Sequence, residues 1–301
     1  MQELFDKLGV NVNVTFHLLF IALIWVRLLA MASMIPFLLG KPVPRSVVVA
    51  VTMLLAAYGY IHLVPSHPPV LDESPLNLFM LFLKEAFYGF VIGIAISVIF
   101  YGIQAAGAMV DNQRGVSIAR ILIPQLGEQG SLTGTFLFQL SIVLFLAIGG
   151  HLQFLETFFL SYQALPLLAY PSVGVGFIPL IELFIHITAE VLFISMQLAA
   201  PVIIALFLAD IILGIANRIA PQINVWELGF NVKGYAGVII VALSITMMGE
   251  QIVVYAFNAN RYAALAIHHL QGKKERSKEE IDIPEEGLIH PEDGPLPVFT
   301  P

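Results

Sequence analysis

The chain contains no cysteine, and it contains few charged residues for its length. The first absence excludes disulfides, thiolate nucleophiles and cysteine-bound metals. The second is as informative, because only 12% of the residues are Asp, Glu, Lys or Arg, against about 25% in soluble domains. With 58% hydrophobic residues, the chain has too few polar groups to cover its own surface. Lipid or other apolar subunits must therefore cover part of it.

Short catalytic motifs are also missing. The sequence has no HExxH, no GxSxG, no P-loop and no glycine-rich dinucleotide fingerprint. Its net charge of −7 and the lack of a clustered basic stretch argue against nucleic-acid binding. We therefore expect a protein that is not an enzyme and that has no cofactor and no metal site.

Long apolar segments make up most of the chain and predict the fold class. They cover residues 14–39, 47–64, 76–104, 132–165, 177–209 and 235–257. Each is of membrane-spanning length and must be helical, because a segment in lipid has to satisfy its own backbone hydrogen bonds. We expect an all-α membrane protein with about six long helices, arranged as hairpins and partly broken. Pro36, Pro166 and Pro201 are candidate breaks.

The predicted domain boundary lies at residue 260. Residues 1–260 form the predicted helical membrane domain. Its start carries Glu3 and Asp6, unlike a cleavable signal peptide, so we expect it to be retained as a membrane helix. Residues 261–301 are predicted to form a disordered tail, because this charged and proline-rich stretch cannot bury a core.

One polar face in segment 76–104 follows a helical spacing. It starts at Lys84 and Glu85 and continues through Gly89 and Gly93 at four-residue steps. Small residues at this spacing allow helices to approach closely in membranes. Tight helix packing is therefore the favoured interpretation, and pore lining is the alternative.

A second polar stripe lies in segment 177–209 and contains Glu182, His186, Glu190 and Gln197. An ionisable group at the bilayer centre costs at least ~2.5–3.5 kcal/mol on insertion scales. We therefore expect this stripe to face water, a partner helix or itself. A proton relay or a metal site is the alternative interpretation.

Two connecting stretches are unusually polar for a membrane protein. Residues 111–131 place Ile118 and Ile121 in a polar, glycine-containing stretch. This composition suits a mobile apolar constriction that closes a conduit, and an amphipathic loop on the membrane surface is the alternative. Residues 210–233 form a predicted hairpin tip broken at Pro221, which is tolerated only inside protein or facing water.

The same regions resemble the FliR/SctT family of type III export-gate proteins. The stretches that carry the resemblance are LADIILGIANRIAPQ (208–222), AGAMVDNQRGVSIA (106–119), APQINVWELGFNVK (220–233), KEAFYGFVIG (84–93) and FLAIGGHLQFLETF (145–158). The resemblance covers about residues 15–257. The DNQRG form of residues 111–115 is more similar to the injectisome branch, SctT, than to the flagellar branch, FliR.

The resemblance implies a function and partners. The chain would be the single-copy subunit of a gate built with several copies of FliP/SctR-type and FliQ/SctS-type subunits, and its fold would resemble a fusion of these two. A FlhB/SctU-type subunit would associate at the cytoplasmic side. Unfolded secreted proteins would pass through the channel, and no nucleic acid is involved. The chain would be a multi-pass protein of the bacterial inner membrane with a cytoplasmic tail.

The resemblance also implies roles for individual residues. The plug or gate loop would involve Asp111, Gln113, Arg114, Gly115, Ile118 and Ile121. In this set, Asp111 and Arg114 would hold the loop base by charge pairing. Polar contacts between helices or subunits would be made by Lys84, Glu85, Gly89, Gly93, Asp210, Arg218, Pro221, Gln222, Asn224 and Lys233.

Two other functions are alternatives to this interpretation, and the sequence leaves the membrane topology undecided. A proton-coupled secondary transporter would use Glu182, His186, Glu190 or Asp210 as a relay, and it predicts inverted repeats, which the sequence does not display. An intramembrane enzyme predicts a paired catalytic motif, which is absent from the sequence. With six simple spans, the positive-inside rule puts both termini outside, although the tail begins with four basic residues within six positions.

Overall fold

The computed structural model describes residues 14–36, 43–65, 74–116, 130–170, 177–222 and 224–271. The helices in these ranges are α1 Val14–Met34, α2 Arg45–Leu63, α3 Pro75–Gln113, α4 Leu132–Ala147, α5 Gly150–Ala164, α6 Phe177–Ile219 and α7 Val225–Leu270. The described ranges contain no β-strand. The predicted all-α fold class is therefore confirmed.

Most of these helices have the length and composition of membrane spans. Within the described part of the chain, α1, α2, α3, α6 and α7 are each long and apolar enough to cross a bilayer. The count becomes six if α4 and α5 form one broken span. This agrees with the prediction of about six apolar helices.

Glycine or proline lies at or just after the ends of several helices, but one proline lies inside a helix. Helix α4 ends at the Ile148–Gly149 step, where Gly149 has a φ of +75°. Helices α1 and α5 each end two residues before a proline, Pro36 and Pro166, as expected from the restricted backbone of the residue that precedes proline. The break predicted at Pro201 was wrong, because α6 runs through this residue. Membrane helices tolerate an internal proline when neighbouring groups satisfy the freed backbone carbonyl.

The chain forms two compact units, each built from separate segments. Unit 1 contains α1, α2, α3 up to Ser97, the part of α5 from His151, α6 up to Phe184 and α7 from Asn260. Unit 2 contains α3 from Val98, α4, α6 from Ile185 and α7 up to Ala259. Residues 261–270, assigned to the tail by sequence, continue α7 and include buried alanines. The remainder of the predicted tail from residue 272 lies outside the described residues.

In unit 1, small residues let α3 pack closely against α1. A methyl group on Gly93 would lie 2.9 Å from the carbonyl oxygen of Met31, and one on Gly89 would meet the backbone of Arg27. The Ser97 hydroxyl donates to the carbonyl of Met34 at 2.9 Å, at the end of α1. The glycine face that the sequence displays is therefore a helix-packing face.

In unit 2, aromatic and glycine contacts bring α3 against α4. The rings of Phe100 and Phe145 pack edge to face with centroids 5.3 Å apart. The backbones of α3 and α4 meet at Gly107 and Gly134, where a side chain on Gly107 would overlap the partner backbone. Helix α7 reaches α6 through the Tyr255 hydroxyl, which donates to a side-chain oxygen of Gln197 at 2.5 Å.

Candidate functional site

The carboxylate of Asp111, in the last turn of α3, holds the start of α4. It is buried and accepts hydrogen bonds from the hydroxyls of Ser131 and Thr133, each at 2.6 Å, and from the Thr133 N–H at 3.0 Å. Ser131 caps α4 by accepting from the N–H of Gly134 at 2.8 Å. A carboxylate at a helix N-terminus also interacts favourably with the helix dipole. These contacts join the end of α3 to the start of α4; residues 117–129 between them lie outside the described residues.

Arg114 connects this carboxylate to α7. Its Nη1 lies 3.3 Å from Asp111 Oδ1 and donates to the Thr133 hydroxyl at 3.3 Å. Its Nη2 donates to the backbone carbonyl of Gly234 at 3.1 Å. The pairing of Asp111 with Arg114 that was expected at the loop base is therefore present. We call Asp111, Arg114, Ser131 and Thr133 the loop-base cluster.

Gly115, two residues after the end of α3, has a conformation that favours glycine. Its φ is +83°, in the left-handed region. The ring of Phe230 packs against it, since a methyl group on Gly115 would lie 3.1 Å from Phe230 Cε1. Ile118 and Ile121, the predicted plug residues, lie outside the described residues, so their role stays a prediction.

Asp210 of α6 brings three helices together near the hairpin between α6 and α7. The ammonium group of Lys233 on α7 lies 3.0 Å from Asp210 Oδ1. The Gln113 amide at the end of α3 donates to Asp210 Oδ2 at 3.3 Å. Gln113, which was predicted for the gate loop, is thus in direct contact with Asp210, which was predicted for the hairpin tip.

The hairpin turn is ordered by a reciprocal cap at the start of α7. Asn224 Oδ1 accepts from the Glu227 N–H at 3.4 Å, and Asn224 Nδ2 donates to the Glu227 carboxylate at 3.3 Å. Pro221 lies in the turn between the helices, and Arg218 and Gln222 are exposed beside it. The capping role of Glu227 was not predicted from the sequence, although an Asn followed three residues later by Glu is a helix-start signal.

An open cavity of about 620 Å³ lies between the hairpin helices. Its lining combines the charged residues Arg114, Asp210 and Lys233 with the aromatic residues Trp226 and Phe230. Residues predicted separately, from the loop and from the hairpin, therefore surround one common space in unit 2.

A second group of charges is buried in unit 1, and it contains the predicted residues Lys84 and Glu85. Glu85 forms ion pairs with Arg27 Nε at 2.6 Å and with Lys84 Nζ at 2.9 Å. The side chains of Arg27 and Glu85 are 0% exposed and that of Lys84 is 6% exposed. We call these three residues the core charge cluster.

Carbonyls and aromatic rings surround the two cations of the core charge cluster. Arg27 donates to the carbonyls of Ser161 and Leu165 at 3.2 and 2.8 Å, and its guanidinium lies 4.3 Å from the ring centroid of Tyr162. Lys84 donates to backbone carbonyls after α5, the shortest bond being 2.7 Å to Leu167. A buried cation is tolerable only with such partners. The cluster thus joins α1, α3 and the end of α5.

Sequence reasoning missed Arg27 as the partner of Glu85. The available signal was a single arginine inside an apolar segment, which indicates a buried polar contact by default. The pairing itself could not be predicted, because Arg27 and Glu85 lie 58 positions apart in the sequence.

The polar stripe on α6 makes contacts within the helix and, through Gln197, with Tyr255 of α7. His186 Nε2 lies 3.5 Å from the Glu190 carboxylate, with the His186 side chain 68% exposed. Among the described residues, no group of three or more His, Asp or Glu side chains is close enough to hold a metal ion.

Comparison with known proteins identifies similar chains in secretion and in flagellar biosynthesis. A sequence model of the family described as bacterial export proteins, family 1, matches residues 18–258. The Yop proteins translocation protein T of Yersinia pestis is 33% identical over 193 residues, which is 64% of this chain and 73% of that protein.

Two further relatives match over a longer stretch. The flagellar biosynthetic protein FliR of Bacillus subtilis is 30% identical over 216 residues, covering 70% of this chain and 80% of its own. The surface presentation of antigens protein SpaR of Shigella flexneri is 29% identical over 219 residues, covering 72% and 82%. The similarity to the Yop and SpaR proteins fits the injectisome branch.

Proposed function

Because the chain belongs to the FliR/SctT family, the bacterial export proteins of family 1, we propose that it is the single-copy structural and gating subunit of a type III secretion export gate. It is a multi-pass inner-membrane protein, with five or six helices of spanning character among its described residues. In our proposal it lines a channel for unfolded protein substrates, its residues act in structure and gating rather than in catalysis, and its tail faces the cytoplasm.

The loop-base cluster is the observation that carries this proposal. A loop that closes a channel needs a fixed base, because a base that moved freely would let ions pass around the closure. Asp111 supplies that base by bonding to both Ser131 and Thr133. Ile118 and Ile121, which follow Arg114 and precede Ser131 in the sequence, are the proposed apolar closure.

Exposed apolar side chains support assembly with partner subunits. On α6 and α7 the exposed set includes Ile219 at 78%, Leu243 at 76% and Tyr235 at 75%. Apolar surface on this scale needs lipid or protein to cover it. We propose that FliP/SctR-type and FliQ/SctS-type subunits cover part of it. Asp210, Lys233 and the capped hairpin tip would then face a FlhB/SctU-type subunit.

The decisive experiment is co-purification of the tagged chain in mild detergent, after co-expression with the genes that neighbour its own, followed by native mass spectrometry. We expect a complex that contains one copy of this chain and several copies of two small membrane proteins. A stable monomer or homodimer without small partners would overturn the proposal and favour a proton-coupled transporter.

The closure is tested separately, in the assembled complex reconstituted into liposomes. Replacing Ile118 and Ile121 together by glycine should increase the leak of small ions at least several-fold. An exposed residue outside the predicted site, Glu156 on α5, supplies the control as Glu156→Gln. Equal leak in both variants would reject these isoleucines as the closure.

A further inference from the structure

The side chain of Arg114 lies across the surface of α7 at a place where α7 carries glycine. A methyl group on Gly237 would lie 2.5 Å from Arg114 Cδ, 2.7 Å from Cγ and 2.7 Å from Nε. Real Cβ atoms do not approach other heavy atoms this closely, so any side chain at position 237 must displace Arg114. The contacted atoms belong to the middle of the arginine and not to its mobile end, and its side chain is only 15% exposed.

One turn earlier, α7 also supplies a hydrogen-bond acceptor for the same arginine. The carbonyl of Gly234 accepts from Arg114 Nη2 at 3.1 Å. In contrast to position 237, a methyl group on Gly234 would meet nothing within 4 Å. The two glycines therefore differ in kind, since Gly237 provides space for Arg114 and Gly234 contributes only its backbone.

We propose that Gly237 is a positioning residue for the loop-base cluster, and that α7 sets the geometry of this cluster through Arg114. The arginine fits the surface of α7 at Gly237 and reaches from there to Asp111 and Thr133. A displacement of α7 relative to α3 is thereby transmitted to the residues that hold the start of α4. The expected effect on ion leak rests on the proposed gating function, whereas the contact between Gly237 and Arg114 does not.

A neighbouring contact supports the same connection. Gln113, the residue before Arg114, donates to Asp210, which pairs with Lys233 on α7. Gln113, the last residue of α3, therefore contacts α6, and Arg114, the next residue, contacts α7. A hairpin that changes its position cannot leave the loop-base cluster unchanged.

The test is a double-mutant cycle between Gly237→Ala and Arg114→Ala, with Gly234→Ala as the matched control on the same helix. In the native background, Gly237→Ala should lower the Tm of the purified chain by several degrees, because it displaces Arg114. Gly234→Ala should leave Tm unchanged or raise it, because alanine favours a helix over glycine. In the Arg114→Ala background, the penalty of Gly237→Ala should disappear, since nothing remains to be displaced.

A second measurement separates this inference from the proposed function. Ion leak is measured in liposomes that contain the assembled complex, whose composition is checked by native mass spectrometry. Gly237→Ala should increase leak several-fold with the complex intact, while Gly234→Ala should not. Equal Tm changes for the two glycine variants, or a penalty that persists without Arg114, would overturn the positioning role. Coupling in Tm without a change in leak would keep the positioning role and reject gating at the loop base.

Discussion

Two charge clusters, one in each unit, use similar residues in different surroundings. The core charge cluster contains two cations and one anion, all buried, and backbone carbonyls accept from both cations. The loop-base cluster contains one cation and one anion, and its further partners are mainly hydroxyls. The side chains of the core charge cluster are at most 6% exposed, whereas the Arg114 side chain of the loop-base cluster is 15% exposed and lies where α3 has just ended. The difference indicates that the first cluster stabilises the fold as a whole, and that the second fixes the end of α3 against the start of α4.

Neutralising Glu85 should cause the largest loss. Glu85→Gln keeps the shape but leaves Arg27 and Lys84 as two buried cations without an anion. Breaking a buried ion pair in this way costs about 3–5 kcal/mol in the free energy of unfolding. We expect little folded protein, measured as yield and Tm in detergent. The control is Glu156→Gln, because Glu156 is exposed on α5; equal yields would show that the core charge cluster does not stabilise the fold.

Neutralising Asp111 should have a smaller effect on stability and a larger effect on leak. Asp111→Asn weakens the charge-assisted bonds to Ser131 and Thr133, at a cost of about 1.5–3 kcal/mol. We expect the complex to assemble and to conduct ions in liposomes. If the Asp111→Asn variant instead yields little folded protein, as expected for Glu85→Gln, both clusters serve to stabilise the fold and the proposed difference between them is wrong.

Adding a methyl group at Gly89 should perturb the core charge cluster through the backbone. In Gly89→Ala the new methyl would meet the backbone of Arg27 and lie 3.0 Å from Ala30 Cβ, which forces α1 and α3 apart. Overpacking of this kind costs about 1–3 kcal/mol. Gly249→Ala is the matched control, since its methyl group would meet nothing within 4 Å. A Tm for Gly89→Ala as high as that of the control would contradict the close packing.

Removing Lys233 should have the smallest effect. The Lys233 and Asp210 side chains are 22% and 36% exposed, so the pair is worth about 0.2–1 kcal/mol after solvent screening. Lys233→Met should change the Tm by no more than a few degrees. A loss of stability comparable to that of Asp111→Asn would mean that the hairpin contributes more to the loop base than its exposed charges suggest.

The sequence predicted the helices well because their apolar runs are long, but it misplaced their ends. The run 76–104 becomes a helix that ends at Gln113, and the run 235–257 becomes one that begins at Val225 and ends at Leu270. Hydropathy reports contact with lipid or core, whereas a helix continues as long as its backbone hydrogen bonds do. Hydropathy therefore does not predict how far these helices extend beyond their apolar runs.

The candidate site could be predicted only in part: Asp111 and Arg114 were among the expected residues, whereas Ser131 and Thr133 were not. The pairing of Asp111 with Arg114 was expected from the family resemblance, and their spacing of three residues is compatible with it. The contact of Arg114 with Gly234 spans 120 positions, and the pair of Arg27 with Glu85 spans 58. No local pattern encodes such distances, so only the folded structure assigns these partners.

The length of α7 limits how much of it can lie in lipid. Its 46 residues extend about 69 Å at 1.5 Å per residue, against about 30 Å of hydrocarbon. A tilt that fitted all of it would be about 64°, beyond the roughly 0–40° range of membrane helices. Its exposed large apolar side chains extend from Trp226 to Met247, about 33 Å, and from Ile252 most are buried. Only the first half of α7 is therefore matched to the thickness of a bilayer, and its second half owes its hydropathy to the protein interior.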